Sequence, residues 1–116
     1  MRTYRPRAMA RVQLLTDDLL FGSRLQAELS GAGHEVTLGA SIDLTVDAVV
    51  ADLTHNADGQ LARLGRLRPP VLAYFAHVEP GVRESALLAG VEMVVPRSRI
   101  AREGPALVAA LLATAR

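Results

Sequence analysis

The chain has 116 residues, half of them apolar and 3% aromatic, with no Trp, no Cys and a net charge of +1. That length suits one domain, the core must be built from Leu, Val and Ala, and disulfides and thiolate metal sites are excluded. All 13 basic side chains are Arg, so any chemistry that needs a compact ammonium group is excluded as well.

Residues 1–8, MRTYRPRA, carry Arg2, Arg5 and Arg7 but no apolar stretch of the kind a secretory signal needs. They read as a disordered basic arm ahead of a domain spanning residues 9–116. Arg11 to Thr16 has the length and apolar content of a strand. From Leu19 to Ser30, Phe21, Leu25 and Leu29 recur at helical spacing, and Gly31 and Gly33 end that helix. His34 to Leu38 alternates like a short strand. Residues 39–46 fit neither pattern. Asp47 to Asp52 is a strongly apolar strand.

Asn56 or Asp58 caps a following helix whose inner face is Leu61, Leu64 and Leu67, and Pro69 and Pro70 stop it. Val71 to Phe75 is a strand. Pro80 sits at a first helical position and Gly90 just past the last, with Val82, Ala86 and Ala89 as the apolar stripe between them. Val91 to Val95 is the last strand. Pro105 opens, or lies early in, a helix carrying Leu107, Leu111 and Leu112.

Strands and helices alternate, which predicts a parallel sheet covered by helices on both faces. Near-continuous apolar strands agree with burial on both sides. One link is short. Parallel neighbours need a crossover of about a dozen residues, usually a helix, and only residues 39–46 join the second strand to the third. The second crossover helix is therefore expected to be short or missing, leaving one sheet face thinly covered there.

Ligands of open parallel sheets sit beyond the carboxyl ends of the strands. Thr16, Asp17 and Asp18 end the first strand and Asp52 ends the third. Phe75, Ala76 and His77 end the fourth, and Pro96 and Arg97 the fifth. In a flavodoxin-like strand order, 2-1-3-4-5, strands one and three are neighbours, and their carboxylates share a crevice. Such a cluster favours a cation, and Mg²⁺ takes a few carboxylates while keeping several waters. An aspartate beside Mg²⁺ also serves as a nucleophile toward a phosphoryl group. The plain alternatives are that Asp52 starts a turn and that Asp18 caps a helix. His34, His55 and His77 share no metal-ligand spacing and read as solvent-facing or helix-start residues. Arg63, Arg66 and Arg68 read as exposed surface.

From residue 11 to about 115 the chain resembles the receiver domain of two-component response regulators. The pieces that carry the resemblance are LLTDD, DAVVADLT, PPVLAYFA and AGVEMVVPRSR. The resemblance implies that Asp52 is the phosphoacceptor and that the Thr54 backbone carbonyl reaches the metal. The acidic pair after strand one falls on Thr16 and Asp17 if counted without a gap, or on Asp17 and Asp18 with a slip of one residue. The family's Thr or Ser after strand four falls on Phe75, beside Ala76, and its Lys falls on Arg97. With no hydroxyl at Phe75 and no ammonium at Arg97, the resemblance implies a degenerate receiver, a pseudo-receiver. Such a module is stand-alone, cytoplasmic and non-enzymatic, and works by protein contacts. Its partner is a histidine kinase, a downstream regulator or a second copy, docked through residues 82–94 and 101–113. The alternatives are an active regulator phosphorylated on Asp52 with Mg²⁺, and a small-molecule-binding flavodoxin-like domain. Nucleic acid and membrane are not expected as partners, because stacking aromatics and a run of ~20 apolar residues are both lacking.

Overall fold

A computed structural model describes residues 10–39, 45–65, 68–76 and 81–114. Nine elements follow in order: β1 (Arg11–Leu15), α1 (Leu19–Gly31), β2 (Glu35–Gly39), β3 (Ala48–Asp52), α2 (Ala57–Leu64), β4 (Val71–Phe75), α3 (Val82–Leu88), β5 (Met93–Pro96) and α4 (Arg97–Thr114). The strands form one sheet in the order β2-β1-β3-β4-β5, and every neighbouring pair is parallel. This is the architecture expected from the alternation of patterns. Among the described residues no helix lies between β2 and β3; residues 40–44 of that link are outside them.

Side chains of a strand alternate between the two faces of a sheet, and the cores follow that rule. Val12, Leu14, Ala48, Val50, Leu72 and Tyr74 pack with Leu25, Leu29, Ile100, Leu107, Val108 and Leu111 on the α1/α4 face. Leu15, Val49, Ala51, Val71 and Ala73 pack with Leu64, Ala86 and Val91 on the α2/α3 face. Each core is aliphatic apart from Tyr74, as the composition requires.

Asp18 caps α1, accepting the Phe21 N–H. The helix ends through Ala32, and Gly33 takes the positive φ of 100° that turns the chain into β2. Gly22 sits where α1 crosses the sheet: a Cβ there would lie 3.0 Å from Thr16 Cγ2 and 3.0 Å from Leu38 Cδ1. That absence of a side chain lets the helix start close to the end of β1.

Three boundaries differ from expectation. Val91 is buried in the α2/α3 core, but the ladder of β5 begins only at Met93. Helix α4 begins at Arg97, well before Pro105, and breaks at Glu103 (φ −127°, ψ 20°). The break falls just before Pro105, whose ring cannot sit in an unbroken helix. His34, expected at the surface, is buried, because its backbone N–H bonds Leu29 O and folds the residue under the end of α1. Residues 1–8, Leu67, His77 and Pro80 lie outside the described residues. No helix among the described residues is long and apolar enough to cross a membrane.

Candidate functional site

The register of β1 on β3 pairs Leu14 with Val50 and Leu15 with Ala51. One step further, Thr16, just past the end of β1, stands beside Asp52, the last residue of β3. Asp52 is only 8% exposed, and both of its carboxylate oxygens are engaged. Oδ1 accepts the Thr54 N–H at 2.8 Å, the local turn that an aspartate makes with the backbone two residues on. Oδ2 accepts the Thr16 hydroxyl at 2.7 Å, a short charge-assisted bond. Thr16 Oγ1 in turn accepts the Asp18 N–H at 3.0 Å.

Asp18 faces away from Asp52. One of its oxygens caps α1 at Phe21 N, 3.1 Å, and the other meets Arg97 Nη2 at 3.0 Å. The Arg97 guanidinium lies 4.3 Å above the Phe21 ring, a cation–π arrangement. Phe21 contacts Tyr74, with ring centroids 5.4 Å apart and planes inclined by 52°. The Tyr74 hydroxyl is buried and has no hydrogen-bond partner among the described residues. Burial pushes its phenol well above the ordinary value; the nearby Thr16 hydroxyl opposes that push, and the Asp52 carboxylate adds to it. Thr16 and Tyr74 are therefore close, without the geometry of a formed bond.

On the other side of Asp52 a cleft of about 250 Å³ opens to solvent. Leu15, Thr16, Asp17 and Asp52 line it from the sheet, and His55, Asn56, Gln60 and Arg63 line it from α2 and the turn before it. Asn56 caps α2 in the left-handed region (φ 53°), its side chain accepting the Gly59 N–H at 3.3 Å. Arg63 bonds Gln60 Oε1 at 2.9 Å.

The structure thus gathers Asp17 and Asp52 in one cleft and takes Asp18 out of it. Asp18 is spent on the α1 cap and on Arg97. Arg97, at the end of β5, lies with Asp18 and Phe21 and does not line the cleft. Phe75 is buried opposite Pro96 and Ala76 is half-buried; neither lines the cleft. The cation on the cleft is Arg63, read from the sequence as ordinary surface. Its signal was present: Gln60 and Arg63 follow the cap Asn56 at helical spacing, along the edge of the face that carries Leu61 and Leu64. Among the described residues no three acid or His side chains gather to hold a metal ion. Thr16, a neutral hydroxyl, stands beside Asp52, so the acids lining the cleft among the described residues are two, Asp17 and Asp52.

No protein-family model matches the chain, and no curated protein matches it. Solved structures do. The receiver domain of a Francisella response regulator, 1452, is similar with a TM-score of 0.77 at 14% identity, over 92% of this chain and 99% of that one. HP1043, an orphan response regulator of H. pylori, gives 0.73 at 21% identity, over 96% and 100%. A response regulator receiver protein of Burkholderia phymatum gives 0.71 at 24% identity, over 89% and 94%. The chain has the receiver-domain fold.

Proposed function

We propose that this chain is a receiver-like signalling module that acts by protein–protein contact, without the usual phosphorylation switch at Asp52. The observation that carries the reading is the Thr16–Asp52 bond of 2.7 Å. A neutral hydroxyl occupies the position from which an acid would help hold a metal, and it holds the carboxylate that would be the phosphoacceptor. The absence of a hydroxyl at Phe75 and the commitment of Arg97 to Asp18 point the same way. Similarity in fold to response-regulator receivers supports the signalling part of this reading.

The contact surface we assign is the side of the molecule around β5, the outer strand, flanked by α3 and α4. Leu87 and Leu88 of α3 are 48% and 89% exposed there. The partner is a histidine kinase, a downstream regulator or a second copy of the chain. A second reading, phosphorylation of Asp52, is favoured by one feature: the cleft that holds Asp17 and Asp52 is open to solvent. Incubation with a small phosphodonor and Mg²⁺, followed by intact mass, separates the two. We expect the unmodified mass; a phosphate adduct lost in Asp52→Asn gives the site to the second reading.

A further inference from the structure

We propose that Thr16 is a positioning residue whose hydroxyl is shared between two sites, held by Asp52 in the resting molecule and passed to Tyr74 when Asp52 ceases to accept it. The proposal goes beyond the reading of Asp52 given above and needs no phosphorylation: it names the group that responds when that carboxylate no longer accepts a hydrogen bond.

The first observation is the position of Thr16 between two groups. It donates to Asp52 Oδ2 at 2.7 Å, and its side chain also neighbours the Tyr74 hydroxyl. A hydroxyl has one proton to give, so it serves only one of the two as donor. The second observation is independent: Tyr74 Oη is buried among the described residues with no partner. An unpaired buried polar group is unfavourable, and a residue two bonds from satisfaction has a reason to move. Burial keeps the phenol protonated, so it both donates and accepts. The third is that Asp52 and Tyr74 are cross-strand partners with different surroundings. Asp52 faces the cleft, whereas Tyr74 belongs to the α1/α4 core. Tyr74 touches Phe21, Phe21 lies under Arg97, and Arg97 holds the α1 cap, Asp18. A turn of the Thr16 side chain therefore bears on the contact between the starts of α1 and α4. Thr16 also accepts the Asp18 N–H, which ties the same hydroxyl to that cap directly.

The test reads the ring carbon bearing the Tyr74 hydroxyl by NMR, in a Tyr4→Phe background that leaves one tyrosine. Asp52→Ala removes the acceptor; Asp52→Leu, which keeps much of the side-chain volume and has no acceptor, serves the same comparison if the alanine variant unfolds. Each is made with Thr16, Thr16→Ser and Thr16→Val. The expected result is a clearly larger displacement of the Tyr74 resonance when Asp52 is changed beside Thr16 or Ser than when it is changed beside Val. Asp47→Ala, at the opposite end of β3, leaves the resonance in place. A displacement of equal size in the Thr16→Val background, or none in any background, overturns the proposal. The experiment needs neither a partner nor a phosphodonor, so its failure leaves the functional reading standing.

Discussion

The Thr16 hydroxyl donates to Asp52 Oδ2 across the ends of two neighbouring parallel strands, at 2.7 Å, with both side chains buried. The first consequence concerns stability. Thr16→Val keeps the shape but leaves Asp52 Oδ2 and the Asp18 N–H without their partner. Losing a hydrogen bond to a charged group and stranding a buried one costs about 1–3 kcal/mol. Urea midpoints of the two proteins measure it, and Thr16→Ser recovers most of the loss. Equal midpoints for Thr16→Val and the native chain contradict the assignment.

Thr16→Asp restores an acid beside Asp52. Two carboxylates at hydrogen-bonding distance repel, and each disfavours the ionised form of the other. The variant is less stable than the native chain near neutral pH. With Asp17 it also completes three acids at one crevice, so Mg²⁺ binds the folded state and raises its melting temperature by mass action. Thermal melts with and without millimolar Mg²⁺ show a rise for the variant and little for the native chain. A rise of equal size in both shows that Thr16 does not limit the metal.

Asp18 carries two roles that substitution separates. Asp18→Ala removes the α1 cap at a cost of about 1 kcal/mol. Asp18→Asn keeps a capping oxygen and loses only the Arg97 charge pair. The paired side chains are 39% and 35% exposed, so solvent holds that term to less than about 1 kcal/mol. Denaturant midpoints in the order native, Asn, Ala are expected; a larger loss in Asn than in Ala makes Arg97 pairing the dominant role.

Tyr74 gives the pH dependence. Below the ordinary phenol pKa of about 10 both folded and unfolded chains keep the proton, and burial adds no slope. Above it the unfolded chain releases the proton and the folded chain, whose phenol is raised by burial, retains it. Stability therefore falls as pH rises, by up to about 1.4 kcal/mol per pH unit from this one group. Tyr74→Phe removes that share of the slope, and urea midpoints between about pH 9 and 11 measure it. An unchanged slope in the phenylalanine variant contradicts the raised pKa.

Leu88, 89% exposed on α3, makes no core contact to lose. Leu88→Glu is expected to change stability by less than about 0.5 kcal/mol. At a docking surface the same change puts an unpaired charge into the contact. Sedimentation velocity with the native chain, and with a kinase or regulator partner, is expected to show weaker association for the variant. Association unaffected by the charge moves the surface away from α3.

The parallel sheet and the two-sided core could be read from the alternation of apolar runs, because doubly covered strands leave a pattern that depends only on neighbours in sequence; the strand order came from likeness to a flavodoxin-like fold. The place of Asp52 at the carboxyl end of β3 could be read for the same reason: it ends such a run. Asp18 and Arg97 were harder. Their pairing joins residues far apart in sequence, and it depends on α4 starting at Arg97, ahead of the helix that Pro105 announces. The place of Arg97 at the end of β5 was legible; its partner, Asp18, was not. Arg63 was lost differently. Its position on α2 was legible, but whether that helix face overlooks solvent or a cleft depends on how α2 docks beside β3. His34 escaped because a turn residue after a glycine looks exposed until the helix end folds over it.

The most direct test of the central claim is an amide NMR titration with Mg²⁺ and beryllofluoride, a phosphoryl mimic. The claim is that Asp52 is held by Thr16 in a cleft whose donors do not support a phosphoryl switch. It predicts no saturable shift at the Thr16, Asp17, Asp52 and Thr54 amides. A saturable shift of those four signals that vanishes in Asp52→Asn would contradict it.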